Sequence, residues 1–340
     1  MNLKKMRMTK IDKIWSELEN DKSFSHGLLI RRYSGDVLPD VFVALKSPEN
    51  FRCIAASLSY SLQINLSSFS NLKDINVDII PNETKPERNY LIFKLLNNEH
   101  RDIFSVLCED LIISISSVKN ENQLYRELLN RFEKWKSLFD RASSQGLTPE
   151  EQRGLYGELT FLRKLLYRNS DIQNIITSWV GVEKQIRDFQ FGNWSIEIKT
   201  THGNNHQKIL ISNERQLDIT NLDNLFLFHL SLESRLHSGE TLNEVVDSIA
   251  LILEKDFSSL SRFKNKLLEV GYFENHRIHY SETGYFIRNE VFYKVENEFP
   301  RIEEAEIRNG VGDVKYSIII SQCSEYIRTE EQVFQKVIFK

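Results

Sequence analysis

Asp188-Phe189-Gln190-Phe191-Gly192-Asn193-Trp194-Ser195-Ile196-Glu197-Ile198-Lys199 sets an acid, a second acid and a lysine along what reads as a hairpin. From Trp194 onward, Trp194, Ile196 and Ile198 alternate with Ser195, Glu197 and Lys199. A strand sends alternate side chains to opposite faces, so Glu197 and Lys199 share one. The turn Phe191-Gly192-Asn193 joins two short apolar runs with a glycine-containing connection, a recognised hairpin signal. Pairing then brings Asp188 beside Glu197. Two carboxylates so close repel each other, and a divalent cation with a preference for hard oxygen ligands, such as magnesium, is the usual way to hold them together. A lysine alongside can orient or deprotonate a water, or offset charge that develops on a phosphate. The plainer alternative is a turn-flanking acid and a same-face ion pair on a solvated strand.

The chain contains its own controls, because Glu83-Thr84-Lys85 and Asp313-Val314-Lys315 match the acid-x-Lys tripeptide equally well. The first lies near Pro81 and Pro86 in a polar stretch and reads as a loop. The second opens the apolar run Tyr316-Ser317-Ile318-Ile319-Ile320 and could be a strand, but no acid precedes it across a hairpin turn.

Upstream, Thr148-Pro149-Glu150-Glu151 opens a helix, with Thr148 as cap, Pro149 at the first helical position and Glu151 completing a capping box. Leu155, Leu159, Leu162 and Leu166 form one apolar stripe. Glu158 falls at the buried side of that stripe, where a charge needs a partner. Gly154 and Gly157 each cost the helix roughly 1 kcal/mol relative to alanine, and together they open a face that another backbone or a phosphate can approach.

The segments Gly154-Leu155-Tyr156-Gly157-Glu158-Leu159, Asp188-Phe189, Glu197-Ile198-Lys199-Thr200-Thr201 and Ile211-Ser212-Asn213-Glu214-Arg215-Gln216-Leu217 resemble the PD-(D/E)XK nuclease superfamily. More narrowly, the chain resembles a bacterial family of PD-(D/E)XK proteins of about this length found among restriction and phage-defence genes. The specific part of the match spans residues 148–220. The resemblance implies a mixed α/β fold: a restriction-endonuclease-like core with a central mixed sheet of about four strands flanked by helices. It implies that Asp188, Glu197 and the main-chain carbonyl of Ile198 bind magnesium, for which manganese can substitute. By the same resemblance, Glu158 would complete the metal shell and Lys199 would serve the attacking water. Gln216 stands where many members carry a helical glutamine, and Arg215 beside it is placed to meet a phosphate oxygen. Arg187 occupies the position of the name-giving proline, a position that varies and is expected to carry no chemistry. Ser212 is expected to cap the helix begun by Asn213–Leu217. His202 and His206 have helical metal-ligand spacing, but Gly203-Asn204-Asn205 between them argues for a turn.

At 340 residues the chain is long enough for two domains. Residues 1–118 read as a β-rich N-terminal domain, with strands at Leu28-Leu29-Ile30, Val41–Leu45 and Tyr90–Leu95. Residues 119–145 read as a connecting helix, and residues 146–340 as the nuclease-like domain with a C-terminal extension that holds a buried strand at Leu225–Leu230 and an amphipathic helix from Leu242 to Glu254. Tyr272, Phe273, Tyr280, Tyr285, Phe286, Phe292 and Tyr293 are dense enough to stack bases, although core packing accounts for them without a ligand.

A net charge of -4 lacks the basic excess usual for nucleic-acid binders. Contact with DNA must then use a local patch drawn from Lys199, Lys208, Arg215, Arg153, Arg163, Lys164 and Arg168, or a partner must supply affinity. The three cysteines suggest neither a disulfide framework nor a zinc cluster. With no signal-peptide core and no apolar stretch of bilayer length, a cytoplasmic location is expected. Two function classes follow. One is a magnesium-dependent endonuclease acting on double-stranded DNA, as a homodimer or as one subunit of a defence system, with RNA as a lesser substrate. The other is a non-catalytic DNA-binding or scaffolding subunit that keeps the fold.

Overall fold

A computed structural model describes residues 9–69, 74–142, 146–183, 185–203, 208–337 and 339. The chain divides into two compact units, Met1–Gln145 with Phe273–Asn275, and Gly146–Tyr272 with His276–Lys340.

In the first unit, strands β1 (Gly27–Arg32), β2 (Val41–Ser47), β3 (Phe51–Ser59), β4 (Ile75–Pro81) and β5 (Arg88–Leu95) form an antiparallel sheet in the order β1-β2-β3-β5-β4. Helix α1 (Lys10–Glu19) buries Ile11, Ile14, Trp15 and Leu18, one stripe at helical spacing. The Trp15 indole N–H donates to the Ala44 carbonyl at 3.0 Å and so anchors the helix to β2. Helices α2 (Arg101–Ile115) and α3 (Glu121–Ala142) are joined by Asp110, which accepts from Arg131 and from the Trp135 indole. Glu121 at the start of α3 accepts from Arg88 and from the Ser59 N–H.

The second unit is built on a mixed sheet of six strands. Its order is β10 (Glu240–Thr241), β11 (Thr283–Lys294), β9 (Asn224–Leu236), β7 (Trp194–His202) and β6 (Phe189–Phe191), with β13 (Ile327–Arg328) also paired to β11. It is wider than the four strands expected. β7 runs parallel to β9 and the other pairs are antiparallel. Alternation divides its faces: Trp194, Ile196, Ile198, Phe226, Phe228 and Leu230 belong to one core, Leu225, Leu227 and Tyr293 to another. The first core takes in α4 (Pro149–Arg168), α5 (Ile172–Ser178), α6 (Leu242–Ile252) and α7 (Phe257–Glu269). The second takes in β8 (Lys208–Ile211) paired with β12 (Tyr316–Ile319). A last short helix, α8 (Glu330–Phe334), carries Val333 into the first core.

Helix α4 begins with the expected capping box, Thr148 and Glu151 each accepting the other's main-chain N–H. It approaches β7 so closely at Gly157 that a Cβ there would lie 2.6 Å from Thr200 Cγ2. No such contact surrounds Gly154, which faces open space. The dense C-terminal aromatics are packing groups: Phe228 and Phe292 stack at 4.2 Å, and of the seven only Phe286 is substantially exposed, lying beneath Arg235.

Candidate active site

The hairpin pairs Phe189 with Ile196, Gln190 with Ser195 and Phe191 with Trp194, around a tight two-residue turn in which Gly192 adopts φ +55°. Pairing to β6 ends at Ile196. One residue further back, Asp188 occupies the vacated edge, and its Oδ2 accepts the Ile198 N–H at 2.6 Å. Glu197 and Lys199 project from β7 on one face, and Lys199 Nζ lies 2.7 Å from Glu197 Oε1. Glu197 is only 1% exposed, and its other oxygen, Oε2, is buried with no hydrogen-bond partner.

Glu158 comes from α4, where the Trp179 indole N–H donates to its Oε2 at 2.6 Å. The three carboxylates act on one another electrostatically. Burial and then the Asp188 charge push Glu158 well above the usual carboxylate range, against the pull of the Trp179 bond. Burial also raises Asp188, opposed by Lys199 and the Ile198 N–H. Glu197 is pushed up to about 8 by burial and by Asp188, with Lys199 and Arg187 pulling the other way. For Lys199, burial disfavours the charge, but Glu197 and Asp188 outweigh it and the pKa rises, so the amine holds its proton. That state suits a hydrogen-bond donor and charge stabiliser better than a base.

Several residues that carry no role in the sequence reading hold these groups in place. Val180 and Gly181 both donate their N–H to the Asp188 carbonyl at 2.9 Å. A Cβ on Gly181 would meet Asp188 Oδ1 at 2.8 Å and Asp188 Cα at 2.9 Å, so only glycine fits. Trp179 is held in turn by Lys266, a lysine 4% exposed whose Nζ donates to the Trp179 carbonyl and pairs with Glu183 at 2.8 Å. Arg187, expected to be idle, donates to the Gln216 and Arg215 carbonyls at 3.1 Å each and to the Asp218 carbonyl.

Gln216 stands on a single 3-10 turn, Glu214–Leu217, not on an α-helix. The cap is Asn213, whose side chain accepts the Arg215 N–H, and not Ser212. Ser212 instead donates its N–H to Gln216 Oε1 at 3.0 Å, and Lys199 Nζ donates to the same oxygen at 3.2 Å. Gln216 thus reaches the site through Lys199. Arg215, half exposed, forms an ion pair with Glu304 at 2.9 Å.

Other candidates separate from the site. Arg163 pairs with Glu240, Lys164 with Glu290 and Glu330, and Arg168 with Glu330, so these helix cations are engaged within the fold. Glu83 and Thr84 lie in a turn that closes on Lys85. Asp313–Lys315 precedes β12 as an irregular segment, with Asp313 at φ 53° and bonded to Asn213. His202 lies in strand β7, not in the helix its pairing with His206 would need, and His206 falls outside the described residues.

Glu158, Asp188 and Glu197 offer the hard oxygen donors that a divalent cation prefers, and the orphaned Glu197 Oε2 is a group such a cation would satisfy. Among the described residues, no three carboxylate, thiol or imidazole groups are already closed around one point. Lys199 takes Glu197 Oε1 and the Ile198 N–H takes Asp188 Oδ2. The donor chemistry fits a cation, then, while its oxygens are shared with internal partners.

A helix bearing an acid, packed on a mixed sheet whose edge hairpin carries an acid followed by Glu-x-Lys, defines the nuclease-like PD-(D/E)XK class. The chain belongs to that superfamily: the family model described as "Putative PD-(D/E)XK family member, (DUF4420)" matches residues 11–321. No curated protein and no solved structure matches the chain at a significant level.

Proposed function

We propose that this protein is a magnesium-dependent DNA endonuclease, the nuclease component of a bacterial restriction or anti-phage system. The observation that carries the reading is Glu197: a carboxylate buried beside a second acid, paired to Lys199 through one oxygen and left without a partner at the other. A stable fold gains nothing from such a group unless a cation completes it. Asp188, Glu197, Glu158 and the Ile198 carbonyl would hold the cation, with manganese an acceptable substitute. When bound, the cation acidifies water and acts as a Lewis acid toward phosphoryl oxygens.

The chain's own residues orient the reaction. Lys199, kept protonated, donates to the attacking water or to a phosphate oxygen, and Gln216 fixes where its ammonium sits. The defence setting rests on the family resemblance. So does a double-stranded substrate, whose two strands call for two sites and therefore a homodimer or a larger assembly. The net charge of -4 fits a subunit whose partner supplies part of the DNA affinity. No helix among the described residues is long and apolar enough to cross a membrane, which fits the cytoplasmic setting we propose.

A second reading, a scaffolding subunit that retains the fold, draws on the absence of a closed three-ligand set among the described residues. Covalently closed circular DNA separates the two. A nicked or linear product with magnesium, none with chelator, and none from a matched RNA substrate supports the endonuclease. An intact circle under every condition, with and without neighbouring gene products, supports the scaffold.

A further inference from the structure

Arg187 stands immediately before the first acid, yet its hydrogen bonds run away from the acid, to carbonyls of the 3-10 turn 29 residues further on. Nε donates to Gln216, and Nη2 to Arg215 and Asp218. These are main-chain oxygens at and just past the end of a short 3-10 turn; the Arg215 carbonyl also takes the Asp218 N–H at 3.4 Å, and Arg187 adds a second donor to it. The planar guanidinium fork reaches all three from two nitrogens in a fixed geometry, which a lysine's single ammonium nitrogen does not reproduce. The turn it holds carries Gln216, whose Oε1 accepts both the Ser212 N–H and Lys199 Nζ. On the far side, the buried Glu214 takes the Val314 N–H at 2.8 Å.

We propose that Arg187 is a positioning residue: it fastens the 214–217 turn to the segment that carries the first acid and thereby sets Gln216 against Lys199. The consequence for turnover rests on the hydrolytic reading above; the fastening itself does not.

The test compares full-length wild type with Arg187→Ala, Arg187→Lys, Gln216→Ala and the Arg187→Ala/Gln216→Ala double variant, using two readouts. Hydrogen exchange over 208–218 reports the fastening without any need for activity. Arg187→Ala should speed exchange there while peptides from α4 and β9 keep wild-type rates, and Arg187→Lys should fall between. In metal-dependent DNA cleavage, Arg187→Ala should lower kcat by roughly ten- to a hundred-fold with little change in KM, the scale expected for losing a charge-assisted hydrogen-bond set. The double variant should be no slower than the slower single variant, because the two residues act in series. Unchanged exchange, a loss confined to KM, or single effects that multiply in the double variant would each overturn the proposal. Altered exchange in a protein that cuts nothing would uphold the fastening and remove the hydrolytic reading alone. If Arg187→Ala fails to fold, Arg187→Lys and Gln216→Ala carry the same comparison.

Discussion

Glu197, Asp188 and Glu158 are three buried carboxyl groups within electrostatic reach of Lys199, and burial above all, with the Asp188 charge acting on Glu158 and Glu197, raises their pKa values and so disfavours their charged forms in the fold. Asp188→Asn keeps an oxygen for the Ile198 N–H and removes one charge. Without divalent cation the variant should therefore melt about 2–4 °C above wild type, the usual scale for a change near 1 kcal/mol in a domain of this size. Magnesium should then raise the wild-type melting temperature more than that of the variant, and differential scanning calorimetry measures both; a variant that melts lower in the metal-free state would contradict the account. The thiols make a separate prediction. Cys53, Cys108 and Cys323 are all 0% exposed, and burial lifts Cys53 to about 12, Cys323 to about 11 and Cys108 well above its ordinary value. At mildly alkaline pH a disulfide reagent should titrate none of them in the native protein and all three in denaturant. The acids and the lysine are legible in the sequence because each sits on a periodic element with a neighbouring turn or cap. Trp179, Arg187 and Lys266 are not, because their partners lie 21, 29 and 83 residues away and no local pattern announces such contacts.

At the scale of elements, the two glycines of α4 have opposite meanings that their spacing alone conceals. A methyl group on Gly157 would meet Thr200 of β7, so the helix would have to lift from the sheet. Gly157→Ala should destabilise the protein by about 1–3 kcal/mol, as overpacking does, despite the gain in helix propensity. Gly154→Ala meets nothing and should stabilise it by up to about 1 kcal/mol. Denaturant midpoints for the two variants should move in opposite directions, and movement in the same direction would refute the packing argument. Helices α3 and α4 and strand β7 are legible from periodicity and caps alone. The 214–217 turn reads as a helix capped by Ser212 in the sequence because Ser212 and Asn213 are both good caps and so short a segment has no periodicity to separate a 3-10 turn capped one residue later. The β8–β12 pair joins residues more than a hundred positions apart, which is beyond any local signal.

At the scale of the molecule, a five-stranded antiparallel sheet with its own helices makes up most of one unit, the six-stranded mixed sheet with Glu158, Asp188, Glu197 and Lys199 lies in the other, and the family match at residues 11–321 takes in parts of both. Fold membership of this kind constrains chemistry without fixing it, and function has to be argued from the site. The central claim is that Asp188 and Lys199 belong to one hydrolytic centre. The most direct measurement is the rate of magnesium-dependent cleavage of closed circular DNA by wild type beside Asp188→Ala and Lys199→Ala, each shown by calorimetry to be folded. The account predicts cutting by wild type that chelator abolishes and a loss of at least about a hundred-fold in both variants, as befits groups that act as a unit. Cleavage that persists in either folded variant at the wild-type rate would contradict it.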